Sequence, residues 1–210
     1  MDHFTKRYCI KNAVRQDKGR CAMIIYDFIH AIGQDSHRFV QIDEYGKPVN
    51  PHDNQQLVLG GYVIPGERPL IANSDGDVLL HALTNAISGI TCVNVLGEKA
   101  DRLCLEKGIK DSRKYVELAL SSLTDGVISH VSFSIECKSP RLAGHIENIR
   151  SSVAKILMIS PGSVGITATS GEGLSSFGNG EGIMVFCSVT VRRVFGDFSE
   201  GQPTEDLPAL

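Results

Sequence analysis

A chain of 210 residues, 42% of them hydrophobic, has enough apolar material for one domain with appendages, and no stretch approaches the roughly 20 apolar residues of a membrane span. A formal net charge of -3 gives no general reason to expect nucleic-acid or membrane binding. The six cysteines (Cys9, Cys21, Cys92, Cys104, Cys137, Cys187) include no Cys-x-x-Cys pair, which argues against a disulfide framework or a thiolate zinc site and fits a reducing cytoplasm.

Residues 1–22 carry Lys6, Arg7, Lys11, Arg15, Lys18 and Arg20 against Asp2 and Asp17, and read as a basic, disordered extension. The folded domain is expected over 23–194, followed by an acidic, proline-bearing disordered tail at 195–210. A first strand is expected from about Phe28 to Ile32, leading into Gly33-Gln34-Asp35-Ser36-His37. Ile42 to Gln56, with Pro48 and Pro51, reads as a long loop, and Leu57 to Pro65 as a strand or hairpin closed by Pro65-Gly66. Asn73-Ser74-Asp75-Gly76-Asp77 is a turn feeding a helix from about Asp77 to Ser88. Ser74 or Asp75 is its expected N-cap, with Asp75 and Asp77 as carboxylates answering the helix dipole. A second amphipathic helix is expected at 112–124, with Ser112 as its capping candidate.

His130 to Glu136 alternates apolar and polar residues strictly, as a strand with one buried face does. Ile146, Ile149, Val153, Ile156 and Leu157 then recur at helical spacing until Pro161-Gly162, and strands follow at Val164 to Ala168 and Ile183 to Val191. Strands alternating with helices over this length predict an α/β sandwich, a mixed sheet with helices packed on one face.

Four segments carry candidate chemistry. In an extended strand, side chains at i and i+2 leave the same face roughly 6.5 to 7 Å apart, so Asp35 and His37 can converge on one ion. His81, one turn inside the first helix, offers a third ligand and completes the three-ligand set of a catalytic zinc site. The plainer reading is a solvated polar pair and an ordinary boundary histidine. Thr169 to Gly182 is rich in glycine and hydroxyl residues, so its backbone N–H groups can approach phosphate oxygens while Glu172 holds Mg²⁺. No Gly-Lys-Ser/Thr ending makes it a P-loop, and a flexible hairpin is the alternative. Lys138 and Arg141 can face a nucleotide diphosphate or can be solvated cations of a surface turn.

The ordered set Gly33-x-Asp35-x-His37-x-Phe39, Leu59-Gly60-Gly61 with Ile64-Pro65, Ser74-Asp75-Gly76-Asp77-Val78 with His81-Ala82-Leu83, Asp111-Ser112, and Ala168-Thr169 to Glu181-Gly182 resembles the 2-C-methyl-D-erythritol 2,4-cyclodiphosphate synthase family over about residues 31–192. The resemblance implies a homotrimer with active sites between subunits. It implies Asp35, His37 and His81 as ligands of zinc or another divalent transition metal, and Glu172 as the position for Mg²⁺ or Mn²⁺. It also implies Asp35, His37, Ser74, Gly97, Pro140, Arg141, Thr169, Ser170 and Glu172 as substrate contacts, with Ser170, as the hydroxyl that stabilises the transition state, and Asn73 at the catalytic positions. The implied reaction is cyclisation of 4-diphosphocytidyl-2-C-methyl-D-erythritol 2-phosphate with release of CMP, in non-mevalonate isoprenoid synthesis. A soluble cytoplasmic lyase with a cytidine diphosphate-linked substrate and no nucleic-acid or membrane partner follows from it.

The chain departs from the family pattern at several places. Asn73 stands where the family has a catalytic histidine, and an amide donates hydrogen bonds without carrying positive charge. Val95-Leu96-Gly97 and residues 100–104 retain only Gly97 of the family's methylerythritol-contacting stretch, and Ser176 and Asn179 replace a phenylalanine and an arginine. The alternative expectation is therefore a catalytically impaired paralogue that binds metal and a phosphorylated or nucleotide ligand.

Overall fold

Two long strands organise the computed structural model, which describes residues 14–17, 20–50, 56–97 and 108–199. β2 (Arg20–Arg38) and β7 (Gly182–Ser199) pair antiparallel from Ala22↔Ser199 to Arg38↔Gly182, with one irregularity between Ile25 and Tyr26. β5 (Val127–Glu136) adds antiparallel to β7, β6 (Val164–Thr169) parallel to β5, and β1 (Val14–Asp17) antiparallel to β2. The resulting mixed sheet has the order β1-β2-β7-β5-β6. A separate hairpin is made by β3 (Leu57–Leu59) and β4 (Tyr62–Ile64).

The expected order of elements holds, and several boundaries move. Asp35 and His37 lie inside β2 rather than beyond it, because the two-residue alternation of buried and exposed positions continues past the last apolar residue. Backbone pairing likewise carries β1 and the start of β2 into the segment expected as a disordered extension, and β7 into the expected tail. Residues 1–13, 18–19 and 200–210 of those segments lie outside the described residues, as do 51–55 of the 42–56 loop and 98–107, which contain the departures at 100–104. The hairpin turns at Gly60-Gly61, not at Pro65-Gly66; both glycines have positive φ (64° and 74°), the requirement of a tight hairpin turn that suits the twist of its strands.

Among the described residues, three α-helices cover one face of the sheet: α1 (Val78–Thr91), α2 (Arg113–Ser121) and α3 (Ile146–Leu157). α1 lies across β2 and β7 and against α2, while α3 contacts β6 and the hairpin. The core fills the space between. Phe133, Ile135, Ile183, Val185 and Val189 point up from the sheet to meet Leu79, Leu83 and Ile87 of α1 and Ile149 and Val153 of α3, all essentially inaccessible to water. Each such side chain contributes about 1.5 to 3 kcal/mol through burial. The opposite sheet face is open in the single chain, with Ile32 and Phe186 69% and 37% exposed. Among the described residues no helix is long and apolar enough to cross a membrane.

Candidate metal centre

Gly33, Asp35 and His37 share the helix-facing side of β2 through its period-2 alternation. A Cβ at Gly33 would fall 2.2 Å from the carbonyl oxygen of Ala82 and 2.3 Å from the nitrogen of Ala86. Only glycine permits α1 to rest its backbone on the strand at this point. That close approach carries His81, in the first turn of α1, over the two β2 side chains. Asp35 Oδ2 is 3.0 Å from His37 Nε2 and 3.0 Å from His81 Nδ1, and the two imidazole nitrogens are 3.1 Å apart. Ligands of a tetrahedral zinc ion at about 2.0–2.1 Å stand roughly 3.3 Å from one another, so a divalent ion fits this triangle with adjustments of a few tenths of an ångström.

Proton placement supports the same conclusion. His37 Nδ1 lies 3.0 Å from the carbonyl oxygen of Ile71, which can only accept, so Nδ1 carries a hydrogen; the neutral ring then has its Nε2 lone pair free for a metal ion, and without one a second hydrogen on Nε2 donates to Asp35. Burial alone would raise the Asp35 carboxyl, but hydrogen bonds from His37 and His81, together with their charge, hold it well below the usual carboxylate range. For His37, burial lowers and is outweighed by the Asp35 hydrogen bond and charge, so the imidazole is shifted upward. Both shifts describe a site that favours positive charge, whether carried by protons or by a metal ion.

The triangle opens into a cavity of about 250 Å³ lined also by Asn73, Ser74, Leu96, Gly97 and Tyr115. Ser74 Oγ, 3.3 Å from His81 Nε2, accepts from Gly76 N. The expected capping of α1 is corrected here: Asp77, not Ser74 or Asp75, is the N-cap, accepting from Leu80 N. Its carboxylate also accepts from Gly60 N at 2.8 Å and Gly61 N at 2.6 Å, which ties the hairpin to the helix start. Burial and the neighbouring Asp75 charge push Asp77 up to about 6, against the pull of those N–H donors.

Thr169, Ser170 and Glu172 do not reach this cavity within one chain, nor do Pro140 and Arg141. The sheet register runs Ser36↔Met184↔Glu136↔Thr169, which puts Thr169 three strand spacings, roughly 14 Å, from the metal-facing part of β2. The two phosphate-side segments do meet each other: Cys137 N donates to Thr169 O, and Lys138 N to Phe177 O, both at 3.1 Å. Within that second group Ser170 Oγ accepts from Glu172 N at 3.4 Å and donates to Glu172 Oε1 at 3.3 Å, and Glu172 adopts a positive φ of 50°.

Several residues around the centre were not legible as site residues. Leu96 and Tyr115 line the cavity, and Asp75 and Ser112 stand behind His81. Ser112 occupies the N-cap position of α2 but makes no side-chain capping bond; its hydroxyl turns instead toward His81 and Asp75. The Asp111-Ser112 pair was the only sequence signal for it.

A mixed-sheet α/β protein with a two-histidine, one-carboxylate cluster beside a cavity of mixed polar and apolar lining belongs to the class of candidate divalent-metal proteins. Residues 28–192 match the model of the YgbB family, and the chain belongs to that family. It is 45% identical over 166 residues, 79% of this chain and 89% of the relative, to the 2-C-methyl-D-erythritol 2,4-cyclodiphosphate synthase of Chlamydia felis (strain Fe/C-56). Among solved structures it is similar to the bifunctional IspDF from Campylobacter jejuni, with a TM-score of 0.67 and 26% identity over 81% of this chain; the match spans 43% of that longer protein. The 2C-methyl-D-erythritol 2,4-cyclodiphosphate synthase of Plasmodium vivax shares the fold, with a TM-score of 0.62, 22% identity, and coverage of 80% of this chain and 99% of that one.

Proposed function

We propose that the chain is a zinc-dependent cyclase that converts 4-diphosphocytidyl-2-C-methyl-D-erythritol 2-phosphate into 2-C-methyl-D-erythritol 2,4-cyclodiphosphate and CMP. The observation that carries this reading is the Asp35–His37–His81 triangle opening into a cavity that Asn73 and Ser74 also line, in a chain 45% identical to a synthase of that name.

In the reaction an oxygen of the 2-phosphate attacks the diphosphate phosphorus nearer the methylerythritol, the bond from that phosphorus to the bridging oxygen breaks, and CMP leaves with the electron pair. Attacker and target belong to one molecule, so the protein's task is to fold the substrate into line and to balance its charge. Zinc held by Asp35, His37 and His81, and magnesium held by the exposed Glu172, supply Lewis acidity and charge neutralisation when bound. Ser74 and Asn73 line the same cavity and bring hydrogen-bonding side chains to the phosphate oxygens. Ser170 contributes a hydroxyl to the transferring phosphoryl group, while Thr169, Pro140 and Arg141 receive the cytidine diphosphate part. Gly97 leaves room for the methylerythritol beside Leu96. No protein nucleophile or general base is needed.

The roughly 14 Å between the metal cluster and Thr169 exceeds what one diphosphate can bridge, which favours a homotrimer in which the Ser170–Glu172 segment of one copy completes the metal cavity of the next. The open sheet face bearing Ile32 and Phe186 suits burial between copies. The absence of a spanning helix among the described residues suits a cytoplasmic enzyme. The test is CMP release from the diphosphocytidyl substrate with Zn²⁺ and Mg²⁺ present. Release that stops on chelation supports the cyclase; saturable substrate binding without CMP supports the impaired paralogue.

A further inference from the structure

His81 meets the metal triangle through Nδ1, and its other ring nitrogen is held by residues to which the proposed reaction gives no role. Nε2 lies 2.9 Å from Ser112 Oγ, and both residues are buried, Ser112 completely. The Ser112 hydroxyl donates to Asp75 Oδ1, and Ser112 N donates to Asp75 Oδ2 at 3.0 Å. Asp75 N in turn donates to the carbonyl oxygen of Lys110 at 2.8 Å, so Asp75 and the start of α2 are bound together by both backbone and side chain.

A serine hydroxyl has one hydrogen to give. Given to His81 Nε2, it would leave Ser112 Oγ and Asp75 Oδ1 as two acceptors pressed together. Given to Asp75, it leaves a lone pair that accepts from His81 Nε2–H, so that Ser112 Oγ, Asp75 Oδ1 and His81 Nε2 are each satisfied. That arrangement places the hydrogen of His81 on Nε2 and the lone pair on Nδ1, the atom facing Asp35 and His37. Ser74 Oγ, at 3.3 Å from the same nitrogen, is the longer and weaker partner.

We propose that Ser112 and Asp75 are positioning residues that lock His81 in its metal-binding tautomer and ring orientation, passing the charge of Asp75 through one hydroxyl to the ligand. The proposal rests on the reading of Asp35, His37 and His81 as a metal site. Partners of this kind behind a metal-bound histidine typically contribute 10- to 100-fold to metal affinity.

The experiment is zinc affinity by competition with a chromophoric chelator for the unaltered full chain, Ser112→Ala and Asp75→Asn, beside the cobalt-loaded absorption spectrum and the unfolding midpoint of each metal-free protein. The relay predicts a loss of 10- to 100-fold in affinity in both variants and an altered cobalt spectrum, with metal-free Ser112→Ala still unfolding cooperatively. Zinc affinities within about twofold of the unaltered protein in both variants would overturn the relay alone. A full chain that binds no zinc would overturn the metal site and the relay together. Failure of both variants to fold would also overturn it, since it would assign Ser112 and Asp75 to the core rather than to the ligand.

Discussion

Gly33→Ala tests how the fold builds the centre. The added methyl would lie 2.2 Å from Ala82 O and 2.3 Å from Ala86 N, both backbone atoms of α1 that cannot rotate aside. Reaching an ordinary contact near 3.4 Å requires α1 to retreat from β2 by roughly 1 Å. Overpacking of this kind costs about 1 to 3 kcal/mol. Because His81 rides on α1 and Asp35 and His37 on β2, the same retreat stretches the 3.0 and 3.1 Å contacts of His81 to about 4 Å. A displacement of 1 Å is enough to lower turnover by about 100-fold. Urea denaturation of the metal-free protein reads the first effect, and CMP release and chelator competition for zinc read the second. Gly144→Ala, where a Cβ meets nothing within 4 Å, is the control and should stay within about 0.5 kcal/mol. Gly33→Ala protein with an unchanged unfolding midpoint and undiminished zinc affinity would refute the claim that this contact sets the site.

Three further outcomes follow from the geometry. The metal-free protein should lose stability as pH rises from 5 to 8. Asp77, raised from 3.8 to about 6, binds a proton on folding and loses that contribution as pH climbs through 6; His37, raised above 6.5, contributes fully below 6.5 and loses its contribution as pH passes its folded value. Urea midpoints that rise over that range would contradict both assignments. Asp77→Ala strips acceptors from Gly60 N, Gly61 N and Leu80 N and should cost about 3 kcal/mol, read by the same unfolding assay; a change under 1 kcal/mol would show that the hairpin does not depend on this carboxylate. Glu172→Gln should raise the Mg²⁺ concentration needed for half-maximal CMP release at least tenfold and leave zinc affinity unchanged; an unaltered Mg²⁺ titration would remove Glu172 from the metal role.

Much of this architecture can be read from residue periodicity. The strict alternation at His130 to Glu136 and the helical spacing from Ile146 to Leu157 correspond to β5 and α3 with little adjustment. Strand lengths were harder to see, because Asp35 and His37 are polar residues turned toward the helix layer, and a hydrophobic pattern ends before them although the backbone pairing does not. The N-cap of α1 was ambiguous for a different reason. Asn73, Ser74, Asp75 and Asp77 are all capping types, and the choice falls on Asp77 through the N–H groups of Gly60 and Gly61, which are distant in sequence. The convergence of Asp35, His37 and His81 was foreseeable from i, i+2 geometry and one helical turn. The separation of Thr169 and Glu172 from them depends on strand order, and the second role of Ser112 on a tertiary contact across 31 residues, neither of which local sequence encodes.

The most direct test of the proposed cyclase is phosphorus NMR of the full chain incubated with 4-diphosphocytidyl-2-C-methyl-D-erythritol 2-phosphate, Zn²⁺ and Mg²⁺, beside a His81→Ala control. Replacement of the substrate resonances by those of a cyclic diphosphate and an equal amount of CMP, absent from the control, is the predicted result. Substrate resonances that persist unchanged in the presence of stoichiometric, zinc-loaded protein would contradict it.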